Sequence, residues 1–112
     1  MRYMILIHRT PTFWRDLPAQ EQNDVRAAYM AYADAVRSAG VLVAADQLQG
    51  ADTAKLVSRD GVADGPYAET REELGGYFLI DVPNEAEAIA WARKCPGAGY
   101  GRGVEVRPVV QR

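Results

Sequence analysis

Residues 77–82 read Tyr77-Phe78-Leu79-Ile80-Asp81-Val82, a run with apolar side chains at both alternating sets of positions. Successive side chains of a strand point to opposite faces of its sheet, so a strand that is apolar on both faces is expected inside the sheet. Arg2–His8 has the same character. One of its faces carries Tyr3, Ile5 and Ile7, and the other carries Met4, Leu6 and His8. These two runs are predicted to be the central strands.

The residues before this strand read as turns. Thr53–Arg59 and Val62–Gly65 predict a short hairpin around Asp60-Gly61, a dipeptide favoured where both turn residues need positive φ. Within Asp64-Gly65-Pro66-Tyr67-Ala68-Glu69-Thr70, the first three residues are typical of a tight turn. Thr70 and Glu73 fit a capping box, which predicts a helical turn over Arg71–Leu74 that Gly75-Gly76 stops.

Two longer segments have helical periodicity. Ala19–Ala39 has apolar residues three or four positions apart, and Gly40 follows as a left-handed stop. Glu85–Lys94 begins after Pro83-Asn84, with acidic residues near its start and basic residues near its end. The apolar stripe of the first helix is Val25, Ala28, Tyr29, Tyr32 and Val36, and that of the second is Ala88, Trp91, Ala92 and Cys95.

Two further strands complete the pattern. Val41–Leu48 follows the first helix, and Val104–Val110 follows a glycine-rich loop, with Pro108 indicating a sheet edge. Without the hairpin, the order strand, helix, strand, strand, helix, strand is that of the α+β ferredoxin-like βαββαβ sandwich. We expect Arg2–His8 and Tyr77–Val82 to be parallel neighbours there. Two helices cover only one face of such a sheet, so the other apolar face predicts a homodimer joined through the sheets, with a cleft beside the joint.

Composition narrows the function classes. The chain has 112 residues, 48% of them hydrophobic and 25% charged, which is typical of one globular domain. A net charge of -2 without a basic run disfavours direct nucleic-acid binding. The apolar start, Met1–Ile7, is too short for a signal or membrane segment, so a cytoplasmic protein is expected.

Metal and disulfide chemistry have little support. One cysteine, Cys95, and one histidine, His8, exclude an internal disulfide and a zinc cage of thiolates and imidazoles within one chain. A site made of carboxylates stays open, but no spacing points to one. No cofactor is predicted.

Several segments together resemble the YCII-related superfamily, in its DGPF-domain branch, and the resemblance covers essentially the whole chain. Tyr67 stands where the branch name has Phe. The segments that carry it are Asp64-Gly65-Pro66-Tyr67-Ala68-Glu69-Thr70, Leu74-Gly75-Gly76-Tyr77-Phe78-Leu79-Ile80-Asp81, Ala88-Ile89-Ala90-Trp91-Ala92, Cys95-Pro96 and Val104-Glu105-Val106-Arg107-Pro108-Val109.

The resemblance implies a dimeric α+β barrel built from ferredoxin-like units, similar in shape to some small cofactor-independent enzymes. It does not imply a known reaction. YCII proteins carry a histidine on the first helix and an aspartate before a proline after the second, and here Tyr29 and Cys95 stand at those positions. Proteins of the DGPF branch also resemble companions of extracytoplasmic-function sigma factors, which implies a regulatory alternative.

The candidate catalytic pair is His8 with Asp81. Each ends one of the predicted parallel central strands, so their side chains are expected at the same end of the sheet. A histidine oriented by a carboxylate is a common general base. The structural alternative is that His8 ends a strand and Asp81 binds a loop N–H.

The candidate ligand-binding residues are Tyr29, Asp64, Tyr67, Glu69 and Arg107. Two of them have a structural alternative, since Asp64 is typical of a turn and Arg107 is placed to form a surface ion pair with Glu105. Neither the predicted turn nor the predicted helix cap accounts for Tyr67 and Glu69.

The leading hypothesis is a homodimer that binds, and as an enzyme transforms, a small molecule in the cleft. The alternative is an accessory protein of a transcription regulator. A polar cleft that contains the candidate residues favours the first, and a flat apolar surface favours the second.

Overall fold

A computed structural model describes residues 1–66, 72–100 and 103–112 of the chain. In these residues a four-stranded sheet, a separate two-stranded hairpin and three α-helices form an α+β fold. Short 3₁₀ turns lie at Ala51–Thr53 and Pro96–Gly99. The elements are β1 (Arg2–Arg9), α1 (Phe13–Asp16), α2 (Ala19–Ser38), β2 (Leu42–Gln47), β3 (Lys55–Ser58), β4 (Gly61–Asp64), β5 (Glu73–Asp81), α3 (Glu85–Lys94) and β6 (Val104–Pro108).

The main sheet has the order β2-β5-β1-β6, which is the order of a ferredoxin-like unit once the hairpin is set aside. The predicted central positions of β1 and β5 are confirmed, as is the edge position of β6 with Pro108. Their predicted parallel direction is wrong, because β1 pairs with β5 in antiparallel register, from Arg2 opposite Asp81 to Arg9 opposite Glu73. The chain crosses the sheet through α2, and β2 runs parallel to β1. β5 lies between these two strands and is antiparallel to both.

The core lies on one face of this sheet, beneath α2 and α3. Ile5 and Ile80 of the central strands and Val36 of α2 are fully buried. The hydroxyl of Tyr32 donates to the Trp91 carbonyl oxygen at 2.7 Å, which joins α2 to α3. Ala28, predicted in the stripe of α2, is exposed instead.

The helix ends agree with the sequence. Gly40 has φ +76° and ends α2 in the left-handed conformation expected of it. The side chain of Asn84 accepts a hydrogen bond from the Glu87 N–H at 3.0 Å and caps α3.

The predicted helical turn before β5 is wrong for its described residues. β5 begins at Glu73 and includes Gly75 and Gly76, so these glycines stop no helix. Their role is close approach, since a Cβ on Gly75 would lie 2.9 Å from the Arg9 side chain and one on Gly76 2.8 Å from the Asp46 carbonyl oxygen. The predicted cap at Thr70 lies outside the described residues.

The hairpin β3–β4 forms as predicted, but its turn differs by one residue. Ser58 pairs with Gly61, so Arg59 and Asp60 are the two turn residues. Gly40 and Gly103 are the described residues with positive φ, so the expected left-handed pair at Asp60-Gly61 is absent from this turn.

The second face of the sheet lacks a helix layer among the described residues. Alternation places Met4, Leu6 and Leu79 on it, and all three are only partly buried. None of the helices described here is long and apolar enough to cross a membrane.

Candidate functional site

A cleft of about 360 Å³ opens where the end of β1 and the start of β5 meet α1 and α2. Its volume falls within the range of about 300–1,000 Å³ that is typical of small-molecule sites. The segment after α3 also reaches it, through Gly97 and Tyr100. The cleft therefore depends on residues from both halves of the chain.

Aromatic side chains make up much of the wall. The rings of Phe13 and Trp14 meet edge to face with 5.4 Å between centroids, and Phe13 meets Tyr100 in the same way at 5.1 Å. Such contacts stabilise an aromatic cluster and leave ring faces for stacking. The six aromatic residues of the wall are Phe13, Trp14, Tyr29, Tyr77, Phe78 and Tyr100.

Arg9 lines the cleft, but its guanidinium already has partners. Its Nε donates to Glu73 Oε1 at 3.2 Å, and its Nη2 donates to the Leu48 carbonyl oxygen at 2.9 Å. The other oxygen of Glu73 accepts from the Ala51 N–H at 2.8 Å. The side chains of Arg9 and Glu73 are only 11% and 8% exposed, so this pair is a buried clamp between the sheet and the segment after β2.

The acidic residue of the cleft wall, Asp46, is also engaged. Its carboxylate accepts a hydrogen bond from the Tyr77 hydroxyl at 3.1 Å. This bond raises the pKa of Tyr77, because it stabilises the protonated phenol. This bond ties the Asp46 side chain to β5 at the β2 side of the cleft.

His8 lines the cleft at the end of β1, next to an irregularity in the sheet. Ile7 pairs with Gly76 but His8 pairs with Leu74, so Gly75 is an extra residue on β5. Bulges of this kind change the direction of side chains and are common beside active sites. His8 Nε2 lies 3.3 Å from Glu105 Oε1 on β6.

The Glu105 carboxylate joins His8 to Arg107. Arg107 Nε donates to Glu105 Oε2 at 3.0 Å, and this guanidinium, followed by His8, holds the pKa of Glu105 below its usual range. An ionised carboxylate only accepts hydrogen bonds, so the proton of a neutral His8 belongs on Nε2. The lone pair of Nδ1 is then the basic site of the ring.

Tyr29 lies deeper, where α2 approaches the segment after α3. A Cβ on Gly97 would lie 2.7 Å from its hydroxyl, so only glycine leaves room for the phenol there. Burial, followed by the nearby Cys95 thiol, raises the pKa of Tyr29, and the hydroxyl stays protonated at neutral pH. Burial also raises the pKa of the Cys95 thiol, which makes it a poor nucleophile.

The predicted His8–Asp81 pair does not form. Asp81 lies opposite Arg2 and His8 opposite Leu74, at the two ends of the β1–β5 ladder. The prediction depended on parallel strands, and the antiparallel pairing separates the two strand ends. Asp81 instead accepts from the N-terminal ammonium group of Met1 at 3.0 Å.

The other predicted residues are distributed over the fold. Tyr29 lines the cleft with His8, while Asp64 lies on β4, is 87% exposed and pairs with Lys55. Arg107 forms the surface pair with Glu105 that its sequence neighbourhood indicated. Tyr67 and Glu69 lie outside the described residues.

Sequence reasoning missed Glu105 as the partner of His8, and it missed Trp14 and Arg26 of the cleft wall. The adjacent Phe13 and Trp14, placed between Pro11 and a charged helix start, were a usable signal for an aromatic wall. Glu105 gave no local signal, since it lies 97 positions from His8. In the described part of the chain no group of His, Cys, Asp and Glu is arranged to hold a metal ion.

Comparisons with known proteins agree with this fold. The 5-chloro-2-hydroxyhydroquinone dehydrochlorinase (TftG) from Burkholderia phenoliruptrix AC1100, in complex with 2,5-dihydroxybenzoquinone, has a similar structure with a TM-score of 0.60 and 15% identity. The alignment covers 100% of this chain and 96% of that one, and it supports the fold alone.

An uncharacterized protein of Rhizobium meliloti (strain 1021) is 47% identical over 49 residues, which are 43% of this chain and 40% of that protein. This chain thus matches less than half of that relative's length. The YCII-related domain matches residues 1–111. Because this match spans nearly the whole sequence, the chain belongs to the YCII-related family.

Proposed function

We propose that this protein binds a small planar aromatic molecule in the cleft between α1, α2 and the sheet. The observation that carries the proposal is the aromatic wall itself, to which α1, α2, β5 and the segment after α3 all contribute rings. Ligand sites are usually apolar clefts with a few polar groups, and here Tyr29 lines the cleft from α2 while His8 and Asp46 line it where β1 and β2 end. TftG was solved with 2,5-dihydroxybenzoquinone, a planar ring of this size class, and that complex supports the proposal by analogy.

His8 is the proposed proton acceptor of this site. Glu105, which lies opposite Leu6, binds Nε2 at the margin of the cleft and leaves Nδ1 to take a proton from a hydroxyl group of a molecule that reaches this margin. The Tyr29 hydroxyl, protonated at neutral pH, serves as a hydrogen-bond donor. Binding and proton removal are the steps for which the chain supplies groups.

A second copy of the chain is the proposed cover of the open sheet face. Met4, Leu6 and Leu79 are only partly buried there, and Leu74 is 41% exposed. Burying such a face against its own copy removes apolar surface from water at about 25 cal/mol per Å². The proposed assembly is a homodimer joined through the sheets.

A thermal-shift screen with one-ring and two-ring aromatic compounds, and with aliphatic compounds of the same volume, tests the binding proposal. We expect aromatic compounds to raise the melting temperature, since a ligand that binds only the folded state stabilises it. Ala33→Leu fills part of the cleft from α2, and Ala35→Leu on an exposed position of the same helix is the matched control.

The expected result is that Ala33→Leu reduces the ligand-induced shift and Ala35→Leu keeps it. Equal shifts with both compound classes, or an unchanged shift in Ala33→Leu, would contradict the proposal. A protein that no compound stabilises, and that instead binds a transcription regulator, would support the accessory role that the family resemblance implies.

A further inference from the structure

Arg26 differs from the other charged residues of the cleft wall in having no ion-pair partner among the described residues. Arg9 is paired with Glu73, and Asp46 accepts from Tyr77. Arg26 forms no ion pair within residues 1–66, 72–100 and 103–112, although it lines the cleft.

The sequence of α2 explains why this guanidinium finds no carboxylate on its own helix. The residues three and four positions away, which are its neighbours on the helix surface, are Asn23, Gln22, Tyr29 and Met30. None of them is acidic. Arg37, on the same helix, has Asp34 three positions before it and pairs with it at 2.8 Å.

Trp14 holds Arg26 at the cleft. The Arg26 guanidinium carbon lies 5.0 Å from the centre of the Trp14 ring, within the range of a cation–π contact. Stacking occupies the flat face of a guanidinium and leaves its N–H groups at the edge. These donors can bind both oxygens of a carboxylate.

A second donor beside Arg26 also lacks an acceptor within the described part of the chain. Trp14 Nε1 is buried and has no hydrogen-bond partner there. Because this nitrogen is enclosed by protein atoms, a ligand in the cleft meets the ring of Trp14 and not its N–H. Gln22 donates to the carbonyl oxygens of Trp14 and Leu17 at 2.8 and 3.0 Å and ties this segment to α2.

We infer that the ligand of the cleft is an aromatic anion whose carboxylate or phenolate is bound by Arg26 while its ring packs against the aromatic wall. This inference rests on the proposed function, and it adds the charge of the ligand and the residue that selects it. Arg26 acts here as a binding residue.

Two probes of the same shape test the charge preference, namely 2-naphthoate and the neutral 2-naphthamide. Calorimetric titration of the wild-type protein is expected to give about tenfold tighter binding of the naphthoate, the size of one charge-assisted hydrogen-bond contact. Arg26→Gln should bring the two affinities within about threefold of one another by weakening naphthoate binding alone. Arg37→Gln removes the same charge from a paired position on α2 and should leave the preference unchanged.

Trp14→Phe keeps an aromatic face beneath Arg26, so the preference for naphthoate should persist in this variant. The folded state of each variant is verified by its thermal transition before titration. Equal binding of the two probes by the wild-type protein, or a preference that survives Arg26→Gln, overturns the inference and leaves the cleft proposal standing. Failure of both probes to bind the wild-type protein overturns the cleft proposal and the inference with it.

Discussion

Arg9 and Glu73 form a nearly buried ion pair across β1 and β5, with 3.2 Å between Arg9 Nε and Glu73 Oε1. The pair also binds the backbone of Leu48 and Ala51, and it takes the space beside Gly75. One end of the cleft is therefore built on a charged contact that joins residues 64 positions apart.

Arg9→Met tests the importance of that contact. Removing one partner leaves the Glu73 carboxylate buried and uncompensated, so we expect the free energy of unfolding to fall by about 3–5 kcal/mol. Arg9→Met combined with Glu73→Gln should recover part of the loss, and Arg37→Met, from an exposed pair, should cost about 1 kcal/mol or less. Urea unfolding curves measure all three. A cost for Arg9→Met as small as that of Arg37→Met would contradict the prediction.

Gly97→Ala tests the close packing of Gly97 on Tyr29. The added methyl group would lie 2.7 Å from the Tyr29 hydroxyl and 3.1 Å from Val104, and such overpacking costs about 1–3 kcal/mol. In a Tyr29→Phe background the nearest contact is gone, so the same substitution should cost less. Thermal and urea unfolding of the four variants of this cycle give the coupling energy, and strictly additive costs would show that the hydroxyl is not the obstacle.

His8 is the sole histidine of the chain, so one imidazole signal reports on the site in nuclear magnetic resonance spectra. An aromatic compound that raises the melting temperature should shift that signal, because His8 lines the cleft. A compound that saturates the protein without moving the signal would argue against His8 as the proton acceptor. Glu105→Gln keeps the shape of the side chain but weakens its bond to His8. It should therefore change the chemical shift of the imidazole signal in the ligand-free protein.

The acid stability of the protein should depend on Arg107. Its guanidinium is the main cause that holds the pKa of Glu105 below its ordinary value near 4.5. A carboxyl group whose pKa is lower in the folded state than in the unfolded state stabilises the fold at pH values above the unfolded-state pKa. That contribution is lost as the pH falls through the folded-state pKa.

Arg107→Gln should therefore make the urea midpoint less dependent on pH below about pH 5. Arg93→Gln, which removes an exposed positive charge from α3, is the control for net charge. If both variants lose stability in parallel with the wild-type protein on acidification, the Glu105–Arg107 contact does not contribute as proposed.

The open sheet face should hold the proposed homodimer together. Leu6→Glu places a charge beside Met4 and Leu79, and we expect it to shift the protein to a 12.3 kDa species in sedimentation velocity at micromolar concentration. Ala35→Glu, on an exposed position of α2, should leave the dimer intact. A wild-type protein that sediments only as the monomer would contradict the assignment of this face.

Local patterns in the amino-acid sequence were enough to define the elements and their places in the fold. Alternation in β1 and β5 marked them as central, Pro108 marked β6 as an edge, and helical periodicity with Gly40 delimited α2, because these signals depend on neighbours a few residues apart. The ferredoxin-like order followed from the succession of elements, and the aromatic pair Phe13-Trp14 was visible without a structure.

Strand direction, register and the contacts that depend on them emerged only in three dimensions. Antiparallel pairing of β1 with β5 separated His8 from Asp81, and pairing of β1 with β6 gave His8 the carboxylate of Glu105. The cleft likewise requires rings and charges from segments as distant as α1 and Tyr100. No local pattern encodes such contacts. They form because burial of one shared core determines which distant strands and helices pack side by side.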